Sequence, residues 1–167
     1  MDLTAHADGR FVFGAETLAC ALGPGGVVPA DDKREGDGAS PAGAWALKRV
    51  LYRADRVDPP ETALPLRAIR PDDGWCDAPD DPGYNRPVRL PYPASAETLM
   101  REDGLYDIVV VLAHNDAPPV PGAGSAIFLH CARPGYPPTR GCVALARADL
   151  ERVLAACGAE AALTIAL

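Results

Sequence analysis

The chain has 167 residues, a length that predicts one domain whose core needs no disulfide or metal to support it. Its net charge of -7 argues against nucleic acid as a partner, and no apolar run has the length of a transmembrane helix. The 16 glycines and 18 prolines, with few aromatic residues, favour short strands and many turns over a helical bundle. We therefore expect a single mostly β domain over residues 1–167, with one or two short helices.

The first half of the chain alternates short apolar segments with turns. Asp8-Gly9 is a hairpin signal between the first two strands, and the glycines and proline at 23–26 end the third. The predicted strands of this half are 3–7, 10–14, 17–22, 44–53 and 66–70. Residues 31–43 form a charged, Gly-rich loop, which is either a wall of a substrate site or a solvated surface loop.

The second half begins with a long irregular stretch, residues 71–93. Such stretches are often functional, so it is either a lid or a surface excursion that Trp75 and Tyr84 stabilise. Ser95 is a suitable N-cap for a short helix at 95–101. The remaining predicted elements are strands at 106–113, 126–130 and 161–167 and an amphipathic helix at 147–157.

The five cysteines are odd in number and show no metal-ligand spacing, so neither a disulfide framework nor a zinc site is expected. The N-terminal sequence lacks the apolar segment of a secretory signal. We therefore expect a cytoplasmic protein, or a periplasmic one if the start has been trimmed.

Residues 125–145 contain the strongest candidate for chemistry. His130 ends an apolar run, and Thr139-Arg140-Gly141-Cys142 follows a loop that contains three prolines. A cysteine nucleophile needs a base to remove its proton, and a glycine before it allows a tight turn that presents backbone N–H groups. The pattern predicts Cys142 as nucleophile and His130 as base. The alternatives are a buried structural thiol and a core histidine.

This stretch resembles the catalytic motif of the L,D-transpeptidase family (YkuD-type domain), in which a histidine precedes a Ser/Thr-x-Gly-Cys signature. The matching positions are His130, Thr139, Gly141 and Cys142. Residues 33–43, KREGDGASPAG, look like the family's Thr-Pro-x-Gly segment. The chain departs from the pattern at Arg140, where the family often has His, and at Ala144, where it has Arg or Asn. The resemblance implies a β-sandwich-like fold with mixed sheets.

The resemblance also implies a cysteine acyl-transfer enzyme that needs no metal or organic cofactor. Its substrate would be a peptidoglycan stem peptide, cut between the third residue and the terminal D-Ala. With water as acceptor it would be an L,D-carboxypeptidase of peptidoglycan recycling, which is our first hypothesis. With an amine acceptor it would be a cross-linking L,D-transpeptidase. The rivals are a non-catalytic peptide-binding module, to be tested by thiol alkylation, and a metal hydrolase, to be tested by metal analysis.

Four further residues are candidates for the site. Thr139 would, by resemblance, orient groups around the nucleophile, or its hydroxyl would only stabilise the turn. Arg140 and Arg86 could each bind a substrate carboxylate through a planar guanidinium, or form surface ion pairs. His114 follows a predicted strand and would either line the substrate pocket or cap its strand.

Overall fold

The computed structural model describes residues 2–167. The strands are β1 (Leu3–His6), β2 (Arg10–Phe13), β3 (Glu16–Ala21), β4 (Val27–Val28), β5 (Ser40–Pro41), β6 (Gly43–Tyr52), β7 (Leu66–Ala68), β8 (Asp73–Cys76), β9 (Pro87–Arg89), β10 (Ala96–Thr98), β11 (Ile108–Leu112), β12 (Phe128–Cys131), β13 (Val143–Leu145) and β14 (Ala162–Ala166). One α-helix, α1 (Arg147–Ala156), lies between the last two strands, and a 3-10 turn spans Ala30–Asp32. The mostly β prediction is confirmed.

Eight strands form one closed sheet, in the order β11, β12, β13, β3, β2, β1, β14 and β6, and β6 returns to pair with β11. β6 closes the ring because it is long enough to pair with β14 in its first half and with β11 in its second. β7 pairs with the C-terminal end of β6, and β4 and β5 form a separate short pair. Among residues 2–167 no helix is long and apolar enough to cross a membrane.

The main core lies inside this closed sheet. Side chains from all eight strands meet in one buried cluster, which α1 joins through Leu150, Val153 and Leu154. Alternation along the strands sends every second residue inward, so Cys131 packs in this cluster while its neighbour His130 does not. Cys20 and Cys157 are buried in the same cluster as Cys131.

A second core covers the outer face of β11 and β12. A three-stranded sheet of β10, β8 and β9, here called the small sheet, lies against this outer face. Trp75 of β8 packs edge-to-face on Phe128 of β12, with ring centroids 5.1 Å apart. Residues 71–93 are therefore not structureless: they supply two strands of a sheet, and Trp75 and Tyr84 are both buried.

Most predicted elements are confirmed. The hairpin at Asp8-Gly9 forms, and the strand predicted at 106–113 is β11, buried along its whole length and paired on both edges. The helix predicted at 147–157 is α1.

The helix predicted at 95–101 is wrong. Residues 96–98 form β10, whose backbone pairs with Gly74, Trp75 and Cys76 of β8. Pairing with a neighbouring strand overrides local helix preference, because the ladder satisfies the same backbone groups and buries more surface. The strand predicted at 126–130 is also displaced: Ala126 has φ +52°, and β12 runs one residue past His130.

The inner core predicts a difference between two leucines. Leu145 of β13 is fully buried, whereas Leu66 of β7 is 39 % exposed. Leu145→Ala is expected to lower the free energy of unfolding by about 2–5 kcal/mol, because the cavity cannot collapse, and Leu66→Ala by less than about 1 kcal/mol. Urea unfolding of both variants measures the difference, and equal losses would contradict the assignment of the core.

Candidate active site

The pairing of β12 with β13 brings His130 and Cys142 to the same face of the sheet. The two strands are parallel, with Leu129 opposite Val143 and His130 opposite Ala144. Leu129 and Val143 point into the inner core, so the residues before and after them point outward. Cys142 therefore lies beside Phe128 on the outer face, with His130 two residues along the neighbouring strand.

A cavity of about 640 Å³ opens over this outer face. The sequence-predicted residues that line it are His130, Thr139, Arg140 and Cys142. Lys33, Glu35 and Gly36 line another side, so the predicted wall formed by residues 31–43 is present. The small sheet and the segments that flank it contribute Asp77, Glu97 and Tyr106.

Cys142 is a neutral thiol in the resting protein. Its side chain is largely buried, and the residue is 8 % exposed. The S–H donates to the carbonyl oxygen of Ala126 at 3.2 Å, and Sγ accepts from the N–H of Phe128 at 3.4 Å. Burial first, and the charge of Glu97 second, raise the pKa of the thiol to about 12. For this thiol to attack a substrate, a base would have to remove its proton.

His130 has the protonation state that such a base needs. Its Nδ1 lies 2.8 Å from the carbonyl oxygen of Cys131, which can only accept, so Nδ1 carries the proton and Nε2 is an acceptor. Burial lowers the pKa of His130 to about 4, so the imidazole is neutral at pH 7. The backbone contact also fixes the orientation of the ring, whose other neighbour is the ring of Tyr106 at 5.4 Å between centroids.

The turn before Cys142 is held by Thr139. The Thr139 hydroxyl donates to the carbonyl oxygen of Cys142 at 2.7 Å and accepts from the N–H of Gly141 at 3.1 Å. The turn-stabilising role considered for this hydroxyl is therefore present, on a residue that lines the cavity. Because the Gly141 N–H already donates to Thr139, it is not available to donate to an oxyanion in this conformation.

Gly141 is required for a close approach between two segments. It has φ +124°, and a Cβ there would lie 2.6 Å from the carbonyl oxygen of Ala39. Ala39 belongs to the 33–43 segment, whose Asp37 accepts from the Ala39 N–H and pairs with buried Lys33 at 2.6 Å. The segment that resembles the family's Thr-Pro-x-Gly element thus supports the turn that carries the thiol.

Arg140 is the cavity's available cation. Its side chain is exposed at the rim and forms no ion pair within residues 2–167. By contrast, Arg101 and Arg133 both pair with Asp103, and Lys33 pairs with Asp37. Arg140 can therefore bind an anion without breaking an existing contact.

Arg86 and His114, the other predicted substrate-binding residues, do not line the cavity. Arg86 pairs with Asp116 at 2.9 Å, which is the surface ion pair considered as its alternative. His114 is buried with its ring edge against Trp45, and its Nδ1 has no hydrogen-bond partner. Their assignment to substrate binding stays a prediction, to which the lining of this cavity gives no support.

Sequence reasoning missed Glu97 and Tyr106, which both line the cavity. Glu97 was assigned to the helix wrongly predicted at 95–101, and Tyr106 was predicted only as part of a strand. No local pattern marks them, because they reach the cavity through strand pairing and packing. Among residues 2–167 no three His, Cys, Asp or Glu side chains are grouped so as to hold a metal ion.

The contact between Gly141 and Ala39 can be tested against Gly135, which also has a positive φ, +79°, but has open space around it. Gly135→Ala adds backbone strain alone. Gly141→Ala also forces a Cβ against a carbonyl oxygen, so it is expected to cost roughly 1–3 kcal/mol more. Chemical denaturation of the two variants measures the difference. Similar losses would mean that the two segments do not press together.

Comparison with known proteins agrees with this geometry. The model of one family, YkuD, described as the L,D-transpeptidase catalytic domain, matches residues 4–162, nearly the whole chain. No curated protein and no solved structure matches the chain. The family match covers β2 to β13, the 33–43 segment and the turn that carries Cys142, and it ends at the first residue of β14. The chain belongs to the L,D-transpeptidase catalytic-domain family.

Proposed function

We propose that this member of the L,D-transpeptidase family is a cysteine L,D-carboxypeptidase. It would cut the bond before the terminal D-Ala of a peptidoglycan tetrapeptide stem and pass the acyl group to water. The observation that carries the proposal is the position of Cys142 and His130 on one face of paired strands, opening into one cavity. Recycling of released stem peptides is the setting that we propose.

The chemistry follows from the neutral resting pair. Nε2 of His130 accepts the thiol proton as Sγ of Cys142 attacks the carbonyl carbon of the third stem residue. The N–H of Cys142, on the residue that carries the nucleophile, would stabilise the oxyanion. His130 then gives the proton to the departing amine of D-Ala, which leaves a thioester on Cys142. Water hydrolyses the thioester to the tripeptide and the free thiol.

Arg140 supports hydrolysis of a terminal residue. A carboxypeptidase must recognise the free carboxylate of the residue that it removes, and a guanidinium offers a bidentate partner. Arg140 is two residues from Cys142, lines the cavity and has no ion-pair partner within residues 2–167. A cation in this place is suited to the D-Ala carboxylate.

An L,D-transpeptidase is the second candidate. The observation that favours it is the carboxylates of Glu35, Asp77 and Glu97 on the cavity wall, which would attract the ammonium group of an acceptor stem. Incubating a tetrapeptide with and without an amine acceptor, and weighing the products, separates the two activities. A tripeptide in both reactions supports the carboxypeptidase, whereas a cross-linked product supports the transpeptidase.

The rate at which Cys142 is alkylated does not distinguish a non-catalytic binding module from a cysteine enzyme of the proposed kind. Because the pKa of the resting thiol is raised to about 12, alkylation at pH 7 is expected to be slow in an enzyme of this kind as well. Turnover of a stem peptide is the test that separates catalysis from binding.

Substitution of the catalytic pair tests the proposed roles. Cys142→Ala is expected to abolish release of D-Ala without unfolding the protein, whereas Cys131→Ala should lower stability, because Cys131 packs in the inner core. His130→Ala should slow thioester formation by roughly two to four orders of magnitude, the usual effect of losing a general base. Loss of activity in Cys131→Ala but not in Cys142→Ala would refute the assignment.

The pH profile gives a second readout on His130. With the pKa of the free imidazole at about 4, kcat/KM of the wild type should fall only below about pH 4, where the imidazolium can no longer accept a proton. His130→Ala should lose this acidic limb. A limb that persists in the variant would assign the base to another residue.

Recognition of the D-Ala carboxylate is tested with two substrates. Wild type should cut a tetrapeptide that ends in free D-Ala about ten- to a hundredfold faster, in kcat/KM, than its C-terminal amide, because one charge-assisted contact is lost. Arg140→Ala should lose most of this preference. Arg86→Ala is the control, since Arg86 pairs with Asp116 outside the cavity. An unchanged preference in Arg140→Ala would remove Arg140 from substrate recognition.

A further inference from the structure

Glu97 faces the catalytic pair across the cavity. In the small sheet, Glu97 of β10 is paired with Trp75 of β8, so the two side chains point to the same side. Trp75 packs on Phe128, the β12 residue beside Cys142, and this side of the small sheet is therefore the one that covers the outer face. Glu97 lines the same cavity as His130 and Cys142.

Tyr106 connects Glu97 to the catalytic histidine. The Tyr106 hydroxyl donates to Oε1 of Glu97, and the Tyr106 ring lies edge-on to the rings of His130 and Phe128, at 5.4 and 5.8 Å between centroids. One carboxylate oxygen is thereby held in place. The other, Oε2, forms no hydrogen bond to any of residues 2–167, so it is available to a water molecule in the cavity.

The other carboxylates on the cavity wall lack this arrangement. Glu35 uses Oε2 to accept from the hydroxyls of Tyr84 and Ser125, which ties it to the wall. Asp77 forms no hydrogen bond with Tyr106, the aromatic residue next to His130, and its buried Oδ1 has no hydrogen-bond partner within residues 2–167. Glu97 is the cavity carboxylate that is both oriented by a residue next to His130 and has a free oxygen.

We propose that Glu97 is the general base of the second half-reaction, in which water hydrolyses the thioester on Cys142. This inference rests on the proposed carboxypeptidase function. Burial raises the pKa of Glu97, which makes its carboxylate a better base than an exposed one, while the nearby charge of Arg101 keeps the ionised form accessible.

The proton balance closes within the site. The oxygen of the water molecule bonds to the thioester carbonyl carbon, and Oε2 of Glu97 takes one proton from that water. The C–S bond then breaks, the tripeptide leaves as its acid, and Sγ of Cys142 receives the proton from Glu97. Glu97 ends as the carboxylate and Cys142 as the thiol, so the next cycle starts from the same state. His130 acts in the first half-reaction, and Glu97 in the second.

Glu97→Gln tests this division of labour, because glutamine keeps the shape and can still accept from Tyr106 but cannot take a proton. The variant is mixed with a tetrapeptide, and the mass of the intact protein is followed over time. We expect the first D-Ala to be released at close to the wild-type rate. The acyl-enzyme should then persist, so that its hydrolysis slows by about a hundredfold or more. Hydroxylamine, which needs no base to attack a thioester, should restore release.

Two further variants control the experiment. Glu102→Gln makes the same change at a residue whose side chain is 96 % exposed, and its acyl-enzyme should turn over as in wild type. Tyr106→Phe removes the hydrogen bond that orients Glu97 but keeps the carboxylate. It should lengthen the lifetime of the acyl-enzyme less than Glu97→Gln does. If Glu97→Gln does not fold, Tyr106→Phe still tests the inference through that lifetime.

Two results would overturn the inference, and they have different meanings. If Glu97→Gln slows formation of the acyl-enzyme or raises KM, with hydrolysis of the thioester unchanged, Glu97 binds substrate and is not the base. If wild type itself forms no acyl-enzyme and releases no D-Ala, the proposed function is wrong and the role of Glu97 falls with it.

Discussion

The parallel pairing of β12 with β13 is the constraint on which the site depends. Leu129 and Val143 are partners in this pairing, and both are fully buried in the inner core. Slippage by one residue would send both side chains out of the core and turn His130 and Cys142 inward. The same hydrophobic burial that stabilises the closed sheet therefore fixes which residues face the cavity. The proposed catalytic pair, His130 and Cys142, needs no other contact to hold it on the outer face.

Burial also sets the protonation of that pair. Both groups are largely removed from water, which disfavours the thiolate and the imidazolium alike, so the pKa of Cys142 is raised and that of His130 is lowered. Each still has a backbone partner, the carbonyl of Ala126 for the thiol and that of Cys131 for the imidazole. The resting site is thus neutral and satisfied, and charge has to develop during the reaction.

The small sheet turns an exposed face of the closed sheet into a cavity. Trp75 and Phe128 join the two sheets, and Glu97 and Tyr106 enter the cavity beside that contact. On another side, the 33–43 segment presses Ala39 against Gly141 and brings Lys33 to the wall. Strands β12 and β13 position the proposed nucleophile and its proposed base, while the segments packed around them determine the charge of the cavity and access to it.

The sequence by itself determined the mostly β fold, the main strands, the helix that begins at residue 147 and the association of His130 with the Thr-x-Gly-Cys turn. Each of these depends on alternation, turn residues or a motif within a short stretch of sequence. Only the tertiary structure decided that residues 96–98 form a strand, that Glu97 and Tyr106 reach the cavity, and that Arg86 and His114 do not. These positions depend on pairing between strands far apart in the chain and on which faces pack together. Local preference does not encode such contacts, since the neighbouring backbone and the buried area determine them.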